Sequence, residues 1–400
     1  MTTLLHPPAP PIEPSPLNPQ NFADPALRPI AEKLLAHTPL DFADGMALWN
    51  TRDIFSLGQL AHHLRTQRHG NLAFYNINRH INYSNICALS CKFCEFQRKR
   101  GEAGAYEFSH DDIFRMAGEA AAAGATEIHI VGGLHPWLPF DWYLDMLRGL
   151  RSRYPRLHLK AFTAIEINHL TKIARLSTRE VLIALKEAGL GSLPGGGAEV
   201  FDDRVHDEVF KGKLRADGWL DVHRTAHQLG IRTNATILYG HIETREERVR
   251  HLLALRQLQS EAPANSGFQT IIPLSFIPDG SELGHLPGNT GLEDLKMLAI
   301  SRLMLPNFAH VKAFWIMQSM KLSQVSLNWG VDDLDGTVVW YDITKREAAR
   351  GDRKTHQEQT VDTIRRLIHE AGFTPIERDT LYRHVIRPEG SAPTNWTLAS

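Results

Sequence analysis

The sequence predicts an α/β fold, a (β/α)8 TIM-type barrel with an N-terminal helical extension and a C-terminal appendage. Three observations carry the prediction. Helical patterns that open on Ser or Thr, with an acid three residues later, recur along the chain. Helical patterns close on glycine and pass at once into short β-rich runs. The runs number seven or eight, which favours a closed parallel barrel over an open sheet.

Taken in order, residues 1–29 are Pro-rich and nearly free of charge. They lack the basic and apolar regions of an export signal, so a flexible leader is expected. Residues 30–71 read as an N-terminal helical cap, with Ile30, Leu34, Leu35, Met46, Leu48, Leu60 and Leu64 at helical spacings. The barrel core is expected over 72–340. Its strand candidates are residues 80–84, 126–131, 157–162, 190–193, 232–238, 268–273 and 310–316, with a weak eighth at 335–339. Ser109 with Asp112, Ser177 with Glu180 and Thr244 with Glu247 mark capping boxes. Gly124, Gly189, Gly230 and Gly372 mark helix ends. Crossovers long enough for one helix make successive strands parallel and their connections right-handed. Chemistry is then expected in the loops that follow the strands. Residues 341–400 form a C-terminal extension packing on the barrel, with one more helix and a strand-like end between 355 and 382.

Composition narrows the function. The 400 residues overfill a barrel of ~250 residues, leaving room for both appendages. Lys and Arg total 44 against 45 Asp and Glu, so no global field favours nucleic acid or an anionic membrane. No run approaches the ~20 apolar residues of a membrane helix. Any anion binding must then be local. All three cysteines lie between positions 87 and 94, which excludes a disulfide framework and fits a cytoplasmic address.

Cys87, Cys91 and Cys94 follow the first strand candidate at spacings x3 and x2, close enough to converge on one metal centre. Structural zinc wants four ligands and would have to recruit His80 or a distant histidine, and the chain has no second cysteine pair. An iron-sulfur cubane normally takes four cysteines, so three leave one iron open to a substrate. A simple electron carrier would supply the fourth. The set therefore points to catalysis.

C-x3-C-x2-C with an aromatic before the last cysteine resembles the radical S-adenosylmethionine (SAM) enzymes. The resemblance implies that Cys87, Cys91 and Cys94 hold a 4Fe-4S cluster, that the open iron chelates SAM, and that Phe93 packs by the adenine. It also implies cleavage of SAM to a 5'-deoxyadenosyl radical and an external electron donor such as flavodoxin or ferredoxin. Phe93 can equally be a loop anchor. Gly132 and Gly133 follow the second strand candidate, where paired glycines make a tight turn or admit a ligand close to the backbone. In the superfamily this element, often Gly-Gly-Glu, bonds the methionine amine. Here Leu134 replaces the acid, leaving backbone carbonyls for that task. Glu199, after Gly195-Gly196-Gly197, is either a helix-start acid or an acceptor for both ribose hydroxyls. Arg224 is a solvated helix residue or, by resemblance, the partner of the SAM carboxylate. Tyr239 and His241 are candidates for adenine packing or proton management.

Longer strings narrow the resemblance: Gly104-Ala105-Tyr106, EIHIVGGLHP at 127–136, KAFTAIEI at 160–167, NATILYGHIET at 234–244, DLDGTV at 333–338 and ERDTLY at 377–382. Together these resemble the aminofutalosine synthase family of menaquinone biosynthesis, over roughly 70–385. That family implies addition of the adenosyl radical to the enol-ether alkene of carboxyvinyloxy-benzoate, then aryl migration and loss of carbon dioxide. His135, Thr163, Glu166, His241 and Lys312 lie near predicted strand ends and are the catalytic candidates. Only Lys312 is reliably cationic, and it can equally be an outward surface lysine. Cyclic dehypoxanthinyl futalosine synthase and the deazaflavin synthases share the cofactor motifs, so the wall at 160–167 must separate them. A cluster-based redox sensor or carrier is the non-enzyme alternative and needs no SAM site.

Overall fold

The computed structural model describes residues 16–338 and 358–399. Residues 1–15 of the expected leader, Val339 of the weak strand candidate and residues 341–357 of the expected extension lie outside the described residues. Residues 16–27 are packed rather than loose: Leu17, Phe22 and Leu27 are buried. Asp53 accepts the amides of Ala23 and Asp24, and Thr51 donates to Asp24 at 2.6 Å. Apolar side chains and these bonds pin a segment whose proline content alone suggested freedom.

The helical cap consists of α1 (Arg28–Leu35), α2 (Phe42–Asn50) and α3 (Ile54–His69). Next come β1 (Leu72–Asn76) and β2 (Asn78–Ile81), one run of chain interrupted at Ile77. The alternation continues through α4 (His110–Ala122), β3 (Glu127–Ile130), α5 (Phe140–Arg153), β4 (His158–Ala161), α6 (Ala164–Ala174) and α7 (Thr178–Ala188). After β5 (Ser192–Leu193) come α8 (Asp203–Val209), α9 (Ala216–Gln228), β6 (Arg232–Tyr239), α10 (Arg245–Glu261) and β7 (Gly267–Ser275). The chain then forms α11 (Gly291–Met304), β8 (His310–Val311), α12 (Trp315–Gln318), α13 (Met320–Ser326) and β9 (Asp333–Gly336). Beyond lie α14 (Val361–Glu370) and β10 (Thr374–Glu377). None of the described helices is long and apolar enough to cross a membrane.

Strands β2 to β8 form one seven-stranded parallel sheet in chain order, which bears out the α/β barrel class but as a curled partial barrel, since β8 does not pair with β2 among the described residues and the expected eight-stranded closure is not reached. The eighth candidate is a strand, but it does not join that ladder. β9 pairs with β1, which also pairs with β10, in a separate three-stranded sheet, and it meets the barrel sheet through a single bridge, Lys312 to Asp333. Chemistry explains this placement. β9 presents Asp333 and Asp335 to buried cations, with Arg378 at 2.6 Å from Asp333 and Lys312 at 2.9 Å from Asp335. The C-terminal segment is thereby tied to the strand that leads into the barrel.

All three predicted capping boxes form, at α4, α7 and α10. Two more appear, Asp41 with Asp44 at α2 and Thr163 with Glu166 at α6. Gly124, Gly189, Gly230 and Gly372 all have positive φ, the conformation that ends a helix without a Cβ penalty. Along β3 and β4 the pleat alternates. Ile128, Ile130, Leu159 and Ala161 are buried in the core, while His129 and Lys160 face the barrel interior.

Candidate active site

A cavity of about 290 Å³ opens among the loops that follow the strands. Cys87, Cys91 and Cys94 line it, together with Phe93, Gly132, Gly133, Thr163, Glu166, Glu199 and Lys312. The cysteine loop is held by its own backbone. Ala88 N–H donates to Leu134 O at 2.9 Å and Cys87 N–H to Arg98 O at 3.0 Å. The Lys99 ammonium donates to the carbonyls of Cys87 and Leu89. The amides of Leu89 and Leu134 both donate to Cys87 Sγ at 3.4 Å, stabilising negative charge on that sulfur. Burial pushes the Cys91 thiol up to about 11 and raises Cys94 as well. All three cysteines are unbridged. Three thiols on one anchored loop, facing a common cavity with amides aimed at sulfur, fit an iron-sulfur cluster with three protein ligands.

Opposite this loop, Glu166 accepts from Tyr83 Oη (2.9 Å), Gly132 N–H (3.0 Å), Thr163 N–H (2.7 Å) and Thr163 Oγ1 (2.9 Å). Burial nevertheless outweighs these donors and lifts its pKa to about 7. The carboxyl thus sits higher in the folded protein than in the unfolded chain. Its protonated form contributes stability that is complete below the ordinary carboxylate range and is lost as pH rises through about 7. Carbon-13 labelling of glutamate should show one carboxyl titrating near neutrality, absent from Glu166→Gln. A Glu166 signal titrating near 4 would contradict this.

Glu199 has φ 46° and forms a buried ion pair with Lys213, which also lines the cavity. The Lys213 ammonium lies 5.2 Å from the Phe93 ring centroid. Burial opposes its charge, but Glu199 and the neighbouring cysteines hold its pKa above the usual lysine value. Lys312 is buried and points inward to Asp335, so the outward surface reading is excluded.

Four expected residues are not among those lining the cavity. Arg224 is partly exposed on α9 and pairs with Glu261 at 3.1 Å and Asp221 at 3.6 Å. Tyr239 alternates with cavity-lining Leu238, and its hydroxyl donates to Asp294 at 2.6 Å. His241 is buried beside Glu243 at 3.2 Å. His135 lies 2.6 Å from Glu107, and its Nδ1 accepts the amides of Trp137 and Leu138. Each has a polar neighbour away from the cavity, and strand alternation turns Tyr239, and its place on α9 turns Arg224, from the cavity; the ring nitrogens of His241 are buried without a hydrogen bond among the described residues.

A model of the radical SAM superfamily matches residues 81–255, and one of the CofH/MqnC C-terminal region matches 265–390. An aminodeoxyfutalosine synthase of Thermus thermophilus is 47% identical over 370 residues, covering 92% of this chain and 98% of that protein. The chain belongs to the aminodeoxyfutalosine synthase family of radical SAM enzymes. The Streptomyces coelicolor aminodeoxyfutalosine synthase is 41% identical, covering 92% of this chain and 96% of that protein. More distant is a 5-amino-6-(D-ribitylamino)uracil–L-tyrosine 4-hydroxyphenyl transferase of Archaeoglobus fulgidus, at 38% identity over 81% of this chain and 92% of that protein. Among solved structures, methylornithine synthase has a TM-score of 0.67 at 18% identity, covering 86% of this chain and 97% of that one. The hydrogenase maturase HydG has a TM-score of 0.70 at 16% identity, over 90% and 77%. Both show the barrel fold alone.

Membership of the radical SAM superfamily brings a 4Fe-4S cluster and SAM as cofactors, and Cys87, Cys91 and Cys94 fit its motif. Lys213, His129 and Asp335 also line the cavity and were not among the expected site residues, while His80 was weighed only as a zinc ligand and Lys160 only as the edge of the wall at 160–167. Lys213 sits in a Lys-Gly-Lys turn that carries no motif. Lys160 was legible in principle, because a lysine inside an otherwise apolar strand demands a buried partner. That partner is Glu127, at 2.5 Å.

Proposed function

We propose that the protein makes aminodeoxyfutalosine, joining the 5'-deoxyadenosyl group of SAM to carboxyvinyloxy-benzoate with aryl migration and loss of carbon dioxide. The observation that carries this reading is the 47% identity over 98% of a family member of that name. A single cavity running from the cysteines to the wall at Lys160, Thr163 and Ile165 supports it. The tyrosine-using relatives at 36–38% identity are the second class to be tested against.

In this reading Cys87, Cys91 and Cys94 hold the cluster, which when bound supplies reductive cleavage of SAM to the adenosyl radical. Gly132 and Gly133 let the methionine end lie close to backbone, and Phe93 packs by the adenine. Glu199 accepts the ribose hydroxyls. Lys213, a cation beside the thiols, replaces Arg224 as partner of the SAM carboxylate. Thr163, Glu166 and Lys312 face the substrate. The carboxyl of Glu166, near neutrality in pKa, is the group here able to hold or release a proton at pH 7. The electron comes from an external one-electron carrier of the flavodoxin or ferredoxin kind, and three unbridged cysteines suit a reducing cytoplasm.

Glu199→Gln should weaken SAM binding, since losing a charge-assisted hydrogen bond costs ~1.5–3 kcal/mol, roughly tenfold or more in affinity. Equilibrium dialysis with the reconstituted protein measures this. Unchanged affinity in a folded variant would reduce Glu199 to a neutraliser of Lys213. The function itself is tested by anaerobic reconstitution and incubation with reductant, carboxyvinyloxy-benzoate and SAM labelled in the adenosyl group. The label should end in product, one SAM per turnover, with little free 5'-deoxyadenosine. If 5'-deoxyadenosine accumulates in step with an unlabelled product, the enzyme abstracts hydrogen and the proposal fails.

A further inference from the structure

Barrel interiors are ordinarily filled by layers of Val, Ile and Leu. Below the cysteine loop this one carries charge. The parallel register sets His80 beside His129 and His129 beside Lys160, a single row across β2, β3 and β4. The imidazoles of His80 and His129 pack with centroids 4.3 Å apart. Lys312, just past β8, and Asp335 of β9 line the same cavity as this row. Asn234 joins them, buried, with no hydrogen-bond partner for its side-chain oxygen among the described residues.

The donors of this layer exceed what its own acids use. An ammonium offers three N–H groups. The Lys160 ammonium has one carboxylate partner among the described residues, Glu127, and that of Lys312 has one, Asp335. Burial keeps His129 neutral, which leaves its ring one N–H to give and one nitrogen to accept. Stability does not call for such a layer. Replacing a buried ion pair by apolar side chains of similar volume is often neutral or stabilising, so two pairs that both bring a lysine to one cavity ask for a ligand. The ligand class is an anion, which the spare donors of the two lysines and His129 can hold. The substrate of the proposed reaction carries one carboxylate on its alkene and a second on the ring, remote from the carbon that takes the adenosyl group.

We propose that His129, Lys160 and Lys312, with His80 behind them, are the receptor for the ring carboxylate of the substrate. The inference rests on the aminodeoxyfutalosine synthase reading. With the ring carboxylate held within the strands, the enol ether points up toward the loops that carry the cysteines. The contacts are made equally before and after addition, so these residues position and select the substrate.

The test pairs a charge removed from the protein with the same charge removed from the ligand. Binding is measured without reductant, on the reconstituted enzyme with SAM, for carboxyvinyloxy-benzoate and for its analogue lacking the ring carboxylate. The wild type should prefer the dicarboxylate at least tenfold. The paired variant Lys160→Met with Glu127→Gln removes both buried charges together, so neither is stranded, and it should bind the two ligands about equally. Lys160→Arg should retain much of the preference. Should the paired variant fail to fold, His129→Leu removes a cavity-facing donor with little change in volume and should cut the preference at least threefold. SAM affinity should stay unchanged throughout. A tenfold preference retained by folded variants, or no preference in the wild type, overturns the receptor. If the wild type shows the preference yet forms no adenosylated product, the reaction assignment fails while the anion receptor stands.

Discussion

Cys91→Ala is expected to abolish cluster binding and turnover together. The chain holds three cysteines in all, so no spare thiol can take its place. The side chain is buried and small, and truncating it to Ala removes one sulfur from a loop whose backbone bonds, Ala88 to Leu134 and Cys87 to Arg98, do not involve it. The fold should therefore persist while the iron is lost. Cys87→Ala and Cys94→Ala should behave alike. Iron and sulfide analysis after anaerobic reconstitution checks the expectation, with circular dichroism as the folding control. An active Cys91→Ala protein, or wild type purified with one zinc and no iron, would sink the cluster assignment.

Gly133→Ala should be nearly as damaging, through packing rather than ligation. A Cβ there would meet Ile86 O at 2.3 Å and its carbonyl carbon at 2.7 Å, with Cys87 Cβ at 3.1 Å. Those are backbone atoms and the root of a ligand side chain, so no rotamer change relieves the overlap. Gly133 cannot retreat freely either, because its amide donates to Ser84 O at 2.8 Å. Overpacking of this kind costs ~1–3 kcal/mol. The displacement falls directly on the residue that carries the first thiol. We expect cluster content and turnover to drop severely, with a lesser fall in thermal stability. An alanine variant with full iron content and normal turnover would show that the cysteine loop can move aside, and that the Gly-Gly pair is only a turn.

The features that were legible in the sequence are local ones. A capping box is closed by two residues three apart, a helix end by one glycine, and a ligand loop by cysteines within eight positions, so Ser109, Gly189 and Cys87 to Cys94 declared themselves without tertiary information. The count of strands in the seven-stranded ladder was legible for the same reason, although β1 (Leu72–Asn76) was not among the expected runs and the run at 310–316 is a strand only over His310–Val311. Its outcome at the closing strand was not. β9 is short and acidic, and buried cations from distant segments, Lys312 and Arg378, decide where it lies.

Which polar residues enter the cavity was the larger uncertainty, and its source is geometric. Near a strand end one step along the chain reverses the side chain, so Leu238 lines the cavity while Tyr239 turns to Asp294. On helices and loops the facing depends on packing across hundreds of residues. Arg224 therefore reached the surface, and Lys213, with no motif to mark it, came to lie beside the thiols. The sequence by itself determined the fold class, the family and the cysteine motif that fits its cluster, because each is read from short local strings, whether one or many along the chain. Only the tertiary structure decided the charged row beneath them, because β2, β3 and β4 bring His80, His129 and Lys160 into register from positions about 30 to 50 residues apart, and register is a property of the assembled sheet.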